Sequence, residues 1–224
     1  MISSGYTEYM VKVKKGTPIP KKILKKLYTK EHQSMAEIAK SLTCSVHKIT
    51  YWMDKYKIKR RNWSQASYHK HNPNGDPFNV KKNLTPAETH LKLLALGLYW
   101  GEGMKATNYA VKIGNTDTGI ITTFRTYLTD ICQVDKRKIK YYLQTFNDTN
   151  QQKAKDYWAS RLHTYSHKIL VSKPVPPQGK GNYKRLNKYG VLSLCFFNIK
   201  LKKYIMNELI KLGYCPQPKL NKPR

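Results

Sequence analysis

The sequence predicts an α+β protein in which an all-α N-terminal segment precedes a larger segment of alternating helices and strands. Apolar residues recur at helical spacing between residues 20 and 60. Alternating apolar and polar residues, which are typical of strands, first occur later, over residues 109–115 and 138–146. The 224 residues are enough for one large domain or two small ones.

The charge of the chain indicates a polyanionic partner. Lysine and arginine number 42 against 13 aspartate and glutamate residues, which gives a formal net charge of +29. The basic residues are dispersed among apolar residues and 17 tyrosines, which is typical of a folded chain and not of a basic tail. We therefore expect a nucleic acid as the partner in preference to a membrane.

The composition also predicts the cellular compartment in which the protein is found. No apolar stretch approaches the roughly 20 residues that a membrane span needs, and the N-terminus lacks the apolar core of a signal peptide. The four cysteines are far apart, without a metal-binding spacing, so we expect free thiols in a reducing compartment, either the cytoplasm or an organelle.

Residues 1–19 are polar and lysine-containing, and we expect them to form a flexible basic arm. Three helices are then predicted within residues 20–60, the second over residues 35–42 and the third over residues 46–56. Ser34 and Ser45 are suitable N-caps for the last two. The apolar residues expected to close their small core are Ile38, Ala39, Leu42, Val46, Ile49 and Trp52.

The stretch EIAKSLTCSVHKITYWMDKY within this segment resembles a helix-turn-helix domain of the resolvase or regulator type. The resemblance implies that the third helix enters the major groove of DNA. The outward residues of that helix, with its cap included, are Ser45, His47, Lys48, Tyr51 and Lys55. A small helical bundle that binds another protein is the alternative.

Residues 61–83 are expected to form a basic linker. The basic run that leads into it includes Arg60 and Arg61, which could contact phosphates. The sequence HNPNGDP within it favours irregular structure. A solvated linker that makes no contact with nucleic acid is the alternative.

Residues 84–214 are predicted to form the second domain, followed by a basic tail over residues 215–224. The start of its first helix is well marked, because Thr85 is a suitable N-cap, Pro86 suits the first helical position and Glu88 completes a capping box. The apolar face predicted for this helix consists of Ala87, Leu91, Leu94 and Leu98.

The end of this helix combines small residues with one acid. Gly97 and Gly101 lie four residues apart on another face, where a second backbone could approach, although such spacing is usually ordinary core packing. Glu102 lies in the last turn, where the helix dipole disfavours an acid. It therefore calls for a cation, either a lysine or a metal ion. Gly103 can end the helix.

The remaining elements alternate between helix and strand. Strands are predicted over residues 109–115, 138–146, 168–172 and 189–197, and helices over residues 118–132, 150–163 and 199–212. A basic loop rich in proline and glycine separates the last two strands, and its candidate DNA contacts are Lys180, Lys184 and Arg185.

Residues 95–103, ALGLYWGEG, resemble the motif helix of LAGLIDADG homing endonucleases. The resemblance implies a saddle-shaped antiparallel sheet, and the single motif copy implies a homodimer in which Gly97 and Gly101 pack against the partner. It also implies that Glu102 binds Mg²⁺ or Mn²⁺ at the scissile phosphates of double-stranded DNA, with the Gly101 carbonyl as a further ligand.

Further site residues follow from this resemblance. Asn115 ends the first predicted strand, and Lys105 and Lys200 are candidates for stabilising phosphate charge; with Glu102 they form the predicted catalytic set. The sheet would lie in the major groove, with contacts from Lys112, Lys140, Tyr142 and Gln144. The basic residue that the family places on the last strand has no clear match, since Phe197 and Asn198 occupy that region.

Three functions are compatible with these features. The first is a metal-dependent, homodimeric DNA endonuclease with an N-terminal helix-turn-helix. The second is a DNA-binding transcription regulator that carries a LAGLIDADG-like domain and does not cut. The third is an RNA-binding intron maturase, which the same family includes.

The charge alone generates a testable prediction. If six or more phosphates are contacted, affinity for duplex DNA should fall by roughly 10³-fold or more between about 50 and 200 mM salt, because each neutralised phosphate releases counterions. Fluorescence anisotropy with a labelled duplex measures this slope. A dissociation constant that does not change with salt would exclude binding through a basic surface.

Overall fold

The fold is α+β in a computed structural model that describes residues 17–146, 149–174 and 188–216. The chain divides into two compact units, Met1–Asp76 and Pro77–Arg224. Most of the predicted arm, the basic loop with Lys180, Lys184 and Arg185, and most of the predicted tail lie outside the described residues.

The first unit is helical in its described part. Its helices are α1 (Lys21–Lys25), which continues as a π-helical turn (Lys26–Lys30), α2 (Met35–Ser41), α3 (Val46–Lys55) and α4 (Trp63–His71). Ser34 and Glu37 form a capping box at the start of α2, and the Ser45 side chain accepts a hydrogen bond from the Lys48 amide at the start of α3. Both N-caps expected from the sequence are therefore confirmed.

The core of this unit differs in part from the predicted one. The residues buried in it are Ile19, Leu24, Leu27, Tyr28, Ile38, Ala39, Leu42, Ile49 and Met53, and Trp52 packs against it. The expectation that Val46 is buried is wrong, because its side chain is 44% exposed. Side chains of a helix point back towards its N-terminus, so that of the first helical residue projects beyond the helix. Met53, one turn after Ile49, completes the inward face.

Helix α4 corrects the prediction of an irregular linker, since it occupies nine residues of that segment. Asn62 and Gln65 form a capping box at its start, and this signal was not used in the sequence analysis. The helix ends at His71, shortly before Gly75, which adopts a φ of +93°. The irregular stretch is therefore limited to the residues between α4 and α5.

The second unit contains a four-stranded sheet with helices in the connections. Its elements in chain order are α5 (Pro86–Glu102), β1 (Val111–Asn115), α6 (Thr118–Thr126) with a π-helical turn (Tyr127–Ile131), β2 (Ile139–Gln144), α7 (Gln151–Arg161), β3 (Ile169–Val171), β4 (Val191–Phe196) and α8 (Ile199–Lys211). Each predicted strand and helix of this unit is present, with slightly shorter bounds.

The sheet is mixed, which corrects the prediction of an antiparallel one. Its order is β1-β4-β2-β3; β4 pairs antiparallel with both β1 and β2, whereas β2 and β3 are parallel. Parallel neighbours need a crossover connection, usually a helix, and α7 provides it between β2 and β3.

One sheet face and the helices share a single core. The strand residues in it are Val111, Ile113, Ile139, Tyr141, Leu143, Ile169, Leu192, Leu194 and Phe196. Helix α5 contributes Ala95, Leu96 and Tyr99, so the apolar face predicted for it is wrong in part: Ala87 is exposed, and so is Leu94 at 47%. Leu91 and Leu98 do pack against the core. The buried face is therefore rotated away from the one predicted.

Helices α5 and α8 are joined by a largely buried ion pair. The Lys92 Nζ lies 2.5 Å from the Glu208 Oε2, and Lys211 pairs with the other carboxylate oxygen at 2.7 Å. Burial raises the pKa of Glu208, but hydrogen bonds from Lys211 and Lys92 outweigh it and leave the pKa lowered. Removing one partner of such a pair leaves an uncompensated charge, so it helps to fix how α5 lies against α8.

Candidate functional site

The sheet face opposite the core brings the predicted DNA contacts of this domain together. Its side chains alternate with the buried ones, so Lys112, Lys140, Tyr142 and Gln144 all lie on the side away from the helices. The pairing register aligns Lys112 and Lys140 with the same residue of β4, Cys195. With strands about 4.8 Å apart, the two lysine backbones are separated by roughly 10 Å. We call this side of the sheet the open face.

Small residues form the centre of the open face. Gly114 and Tyr142 both pair with Ser193, and a Cβ on Gly114 would lie 2.8 Å from the Ser193 hydroxyl. Cys195, between the two lysines, is buried, and burial raises the pKa of its thiol although Lys112 opposes the shift.

Gln144 lies at the other end of the open face from the lysines. Its amide donates to the carbonyl oxygens of Thr145 and Lys173, at 3.1 and 3.0 Å, and its oxygen accepts a hydrogen bond from Ser172 at 2.7 Å. The side chain is thus oriented by its neighbours. It would need to exchange some of these bonds to read a base.

The residues predicted to contact DNA from α3 lie at its start and along its solvent side. His47, Tyr51 and Lys55 are exposed, and the Lys55 ammonium lies over the Trp52 ring, 4.8 Å from its centroid. Lys48 is half-buried, and the Ser45 hydroxyl is used as the helix cap. Polar and aromatic side chains therefore line the exposed side of α3.

Arg61 is bound within its own unit. Its guanidinium donates hydrogen bonds to the carbonyl oxygens of His32, Gln33 and Tyr28 and lies over the Tyr28 ring, 4.2 Å from its centroid. These bonds use much of its donor capacity, so its first role is structural. Arg60 is exposed and lies 3.6 Å from the Asp54 carboxylate.

Helix α5 exposes the face that carries its small residues. A Cβ added at Gly97 or Gly101 would meet no atom within 4 Å. Leu93 and Leu94 on the same exposed side are each about half-exposed, at 48% and 47%. Within this chain the two glycines therefore do not serve core packing, and the face remains available to another surface.

Glu102 is exposed at the end of α5, and its carboxylate makes no hydrogen bond or ion pair with the described residues. Its backbone is nevertheless well held. The Gly103 amide donates to the Tyr99 carbonyl at 2.9 Å, and Gly103 forms a bridge with Ile113 in the middle of β1. Gly103 has an extended conformation, so it ends the helix without the left-handed conformation common at such glycines.

Lysines supply the cations at the negative end of the α5 dipole. The Lys105 ammonium donates to the carbonyl oxygens of Tyr99, Trp100 and Gly101. Lys105 was expected to stabilise phosphate, and here it caps the helix. The lysine at this helix end therefore bonds the backbone carbonyls, and among the described residues no lysine pairs with the Glu102 carboxylate.

Lys202 is a second cation at this end, and the sequence analysis missed it. Its side chain is 2% exposed and donates to the Tyr99 hydroxyl at 2.7 Å. Its pKa is lowered to about 8, first by burial and then by the ammonium of Lys105. The signal was available, because Lys202 falls among the apolar positions Leu201, Ile205 and Leu209 on the inward face of α8.

The structure gives Asn115 and Lys200, the other predicted catalytic residues, no hydrogen bond or ion pair with Glu102 among the described residues. The Asn115 side-chain oxygen accepts a hydrogen bond from the Asp117 amide at 2.9 Å and so shapes the turn before α6. Lys200 is exposed in the first turn of α8. Gly103 forms its bridge with Ile113. Asn115 lies two residues further along β1 and is therefore near the end of α5.

The residues fit a divalent metal only in part. No group of three or more histidine, cysteine or acidic residues in the described ranges could hold a metal ion. Mg²⁺ commonly takes one or two carboxylates plus phosphate oxygens and water, which the exposed Glu102 could supply with a second copy of the chain. The Gly101 carbonyl fits less well, because Lys105 already donates to it.

No protein-family model matches the chain, and neither the curated proteins nor the solved structures compared with it show a match. No helix in the described ranges has both the length and the apolar composition needed to cross a bilayer.

The packing around Gly103 generates a prediction about stability. Substituting Gly103 by alanine should lower the free energy of unfolding by about 1–3 kcal/mol, a typical cost of extra atoms in a packed site. The physical reason is that its Cβ would lie 2.6 Å from the Tyr99 Cε2. Urea denaturation measures the change.

Gly101→Ala is the matched control, because its Cβ would meet no atom within 4 Å. Alanine favours a helix over glycine by roughly 0.5–1 kcal/mol, so this variant should be as stable as the parent or slightly more stable. Both are compared at concentrations where the chain is monomeric. Equal losses in the two variants would contradict the assigned packing.

Proposed function

We propose that the protein is a metal-dependent, homodimeric DNA endonuclease of LAGLIDADG type with an N-terminal helix-turn-helix. The observation that carries the proposal is the end of α5. There an exposed carboxylate without a protein partner follows a helix face with two uncovered glycines. The open face on the same unit adds lysines suited to DNA phosphates.

The dimer follows from the exposed face of α5. Two copies of this helix would pack through Gly97 and Gly101, which allow close backbone approach, and would cover the half-exposed Leu93 and Leu94. Each protomer would then contribute one Glu102 to a shared centre. A single chain has one such acid there, so the second copy is needed to complete the site.

Cleavage needs a nucleophilic water and stabilisation of the charge that develops on the phosphate. When bound, Mg²⁺ or Mn²⁺ would supply both. Glu102 would hold the ion through its carboxylate, and the exposed Lys200 would attract the phosphate. Lys105 offsets the negative charge at the end of the helix dipole, which lowers the repulsion of an approaching phosphate oxygen.

Binding would use both units. Helix α3 would enter the major groove as a recognition helix, and a saddle-shaped open face would lie in the groove near the cleavage site. On the open face, Lys112 and Lys140 would contact phosphates, whereas Tyr142 and Gln144 are suited to base edges.

A non-cleaving DNA-binding regulator is the second candidate, and one observation favours it. The carbonyl oxygens at the end of α5 already accept hydrogen bonds from Lys105, so this end has a cation partner without a metal ion. In that case Glu102 would be a solvent-exposed acid with no chemical role. The two candidates make the same predictions for DNA affinity and differ in cleavage.

Glu102→Gln separates the candidates. It keeps the shape of the side chain and removes the charge that would hold the metal, so Mg²⁺-dependent cleavage should fall to background. DNA affinity measured in Ca²⁺ or EDTA should stay close to that of the parent. A plasmid-nicking assay and a binding titration give the two readouts.

Asp156→Asn is the control, since Asp156 is an exposed acid on α7 that accepts a bond from Gln152. It should cleave at the parental rate. A Glu102→Gln variant that also cleaves at the parental rate would exclude the metal-binding role of Glu102. Absence of cleavage in the parent would favour the regulator.

The dimer has its own test in Gly97→Leu. Within one chain the added side chain has open space, so the monomer should remain folded, whereas it would hold two packed helices apart. The cost expected is about 1–3 kcal/mol and more where backbones touch. Analytical ultracentrifugation should show a shift from dimer to monomer with an unchanged circular dichroism spectrum. A dimer of unchanged affinity would place the interface elsewhere.

A further inference from the structure

Lys202 is a buried lysine without a carboxylate partner among the described residues. It lies on the inward face of α8 and is 2% exposed. A buried charge is costly unless it is paired or well hydrogen-bonded. Its two partners are neutral oxygens: the Tyr99 hydroxyl at 2.7 Å and the Met104 carbonyl at 2.6 Å.

These groups close a triangle around one carbonyl. The Tyr99 hydroxyl donates to the Met104 carbonyl at 3.0 Å, and Lys202 donates to both. The ammonium also lies 5.0 Å from the centroid of the Tyr99 ring. These hydrogen bonds and the ring contact offset part of the cost of burying the charge.

The triangle fixes the segment that follows Glu102. The Met104 amide donates to the Lys112 carbonyl at 2.8 Å, while its carbonyl accepts from Lys202, so both sides of this residue are held. Gly103 is held between Tyr99 and Ile113. The Glu102 carboxylate makes no hydrogen bond or ion pair within the described part of the chain, so its position depends on these backbone anchors.

We propose that Lys202 is a positioning residue for Glu102: it ties the α5–β1 connection to α8 and thereby sets where the Glu102 carboxylate projects. The expected effect on DNA cleavage rests on the proposed function. The structural part of the inference, the ordering of residues 102–104, stands by itself. An apolar side chain at this position could fill the core, but it could not hold the Met104 carbonyl.

The test compares Lys202→Met, which keeps the length of the side chain and removes its donors, with Lys200→Met on the exposed side of the same helix. Backbone ¹⁵N relaxation of the full-length chain reports the order of residues 102–104. We expect order parameters typical of rigid backbone, about 0.85, in the parent and in Lys200→Met, and values below about 0.6 in Lys202→Met.

The second readout is single-turnover cleavage under saturating protein. Misplacing a catalytic group by about 1 Å can cost roughly 10²-fold in rate, so Lys202→Met should lose about that much while its dissociation constant for DNA stays unchanged. A merely structural role would change affinity and rate together, or neither. Lys200→Met is not used in this readout, because Lys200 is proposed to attract phosphate.

Tyr99→Phe keeps the proposal open to refutation if Lys202→Met does not fold. It removes the hydroxyl that bonds both Lys202 and the Met104 carbonyl, keeps the direct bond from Lys202 to Met104, and keeps the ring stacked on Phe124. We expect a smaller loss of order in the same three residues.

Unchanged order parameters in the folded variants would overturn the proposal. A mobile segment with an undiminished cleavage rate would equally overturn the link to Glu102. If the parent does not cleave DNA at all, the proposed function fails, whereas the relaxation data still decide whether Lys202 orders the segment.

Discussion

The negative end of helix α5 is the constraint on which the second unit depends. Its last carbonyl oxygens converge with an acidic residue at one place, where repulsion would be strong without cations. Lys105 from the following turn donates to these carbonyl oxygens, and Lys202 from α8 donates to the Tyr99 hydroxyl and to the Met104 carbonyl just beyond the helix. Because these lysines come from different parts of the chain, the same interactions that stabilise the helix end also connect α5 to β1 and α8.

This connection determines what the unit exposes. Tyr99 and Ala95 face inward, which leaves the glycine face of α5 outside and places Glu102 just beyond the end of the apolar core. On the other side of the sheet, the antiparallel pairing of β4 with both β1 and β2 aligns Lys112 and Lys140. The end of α5 and the open face thus belong to the same packed unit. Both carry residues that we propose contact nucleic acid.

Much of this was accessible from the sequence, because it depends on local rules. The capping box of Thr85 and Glu88, the strand alternation and the exposed polar positions of β1 and β2 were predicted and are present. The N-cap of α4 was an equally local signal in Asn62 and Gln65, but the neighbouring turn residues obscured it.

The remaining features depend on tertiary contacts. The rotation of the buried face of α5 towards Ala95 and Tyr99 follows from packing against α6 and β1. The parallel pairing of β3 with β2 is consistent with the intervening helix α7, whereas the family resemblance predicted an antiparallel sheet. Sequence position alone does not distinguish the role of Lys105 from that of Lys202. Lys105 caps the helix that precedes it, whereas Lys202 is buried by contacts with residues about 100 positions away in the chain.

Whether Glu102 carries a metal ion at DNA is the central claim, and iron-directed cleavage of the protein tests it most directly. Fe²⁺ in place of Mg²⁺, with ascorbate and peroxide, generates radicals that cut the peptide chain next to the ion, and mass spectrometry maps the cuts. With duplex DNA bound, we predict cuts within residues 101–103 that disappear in Glu102→Gln. Cuts located elsewhere, or cuts at this position that persist in Glu102→Gln, would contradict the account.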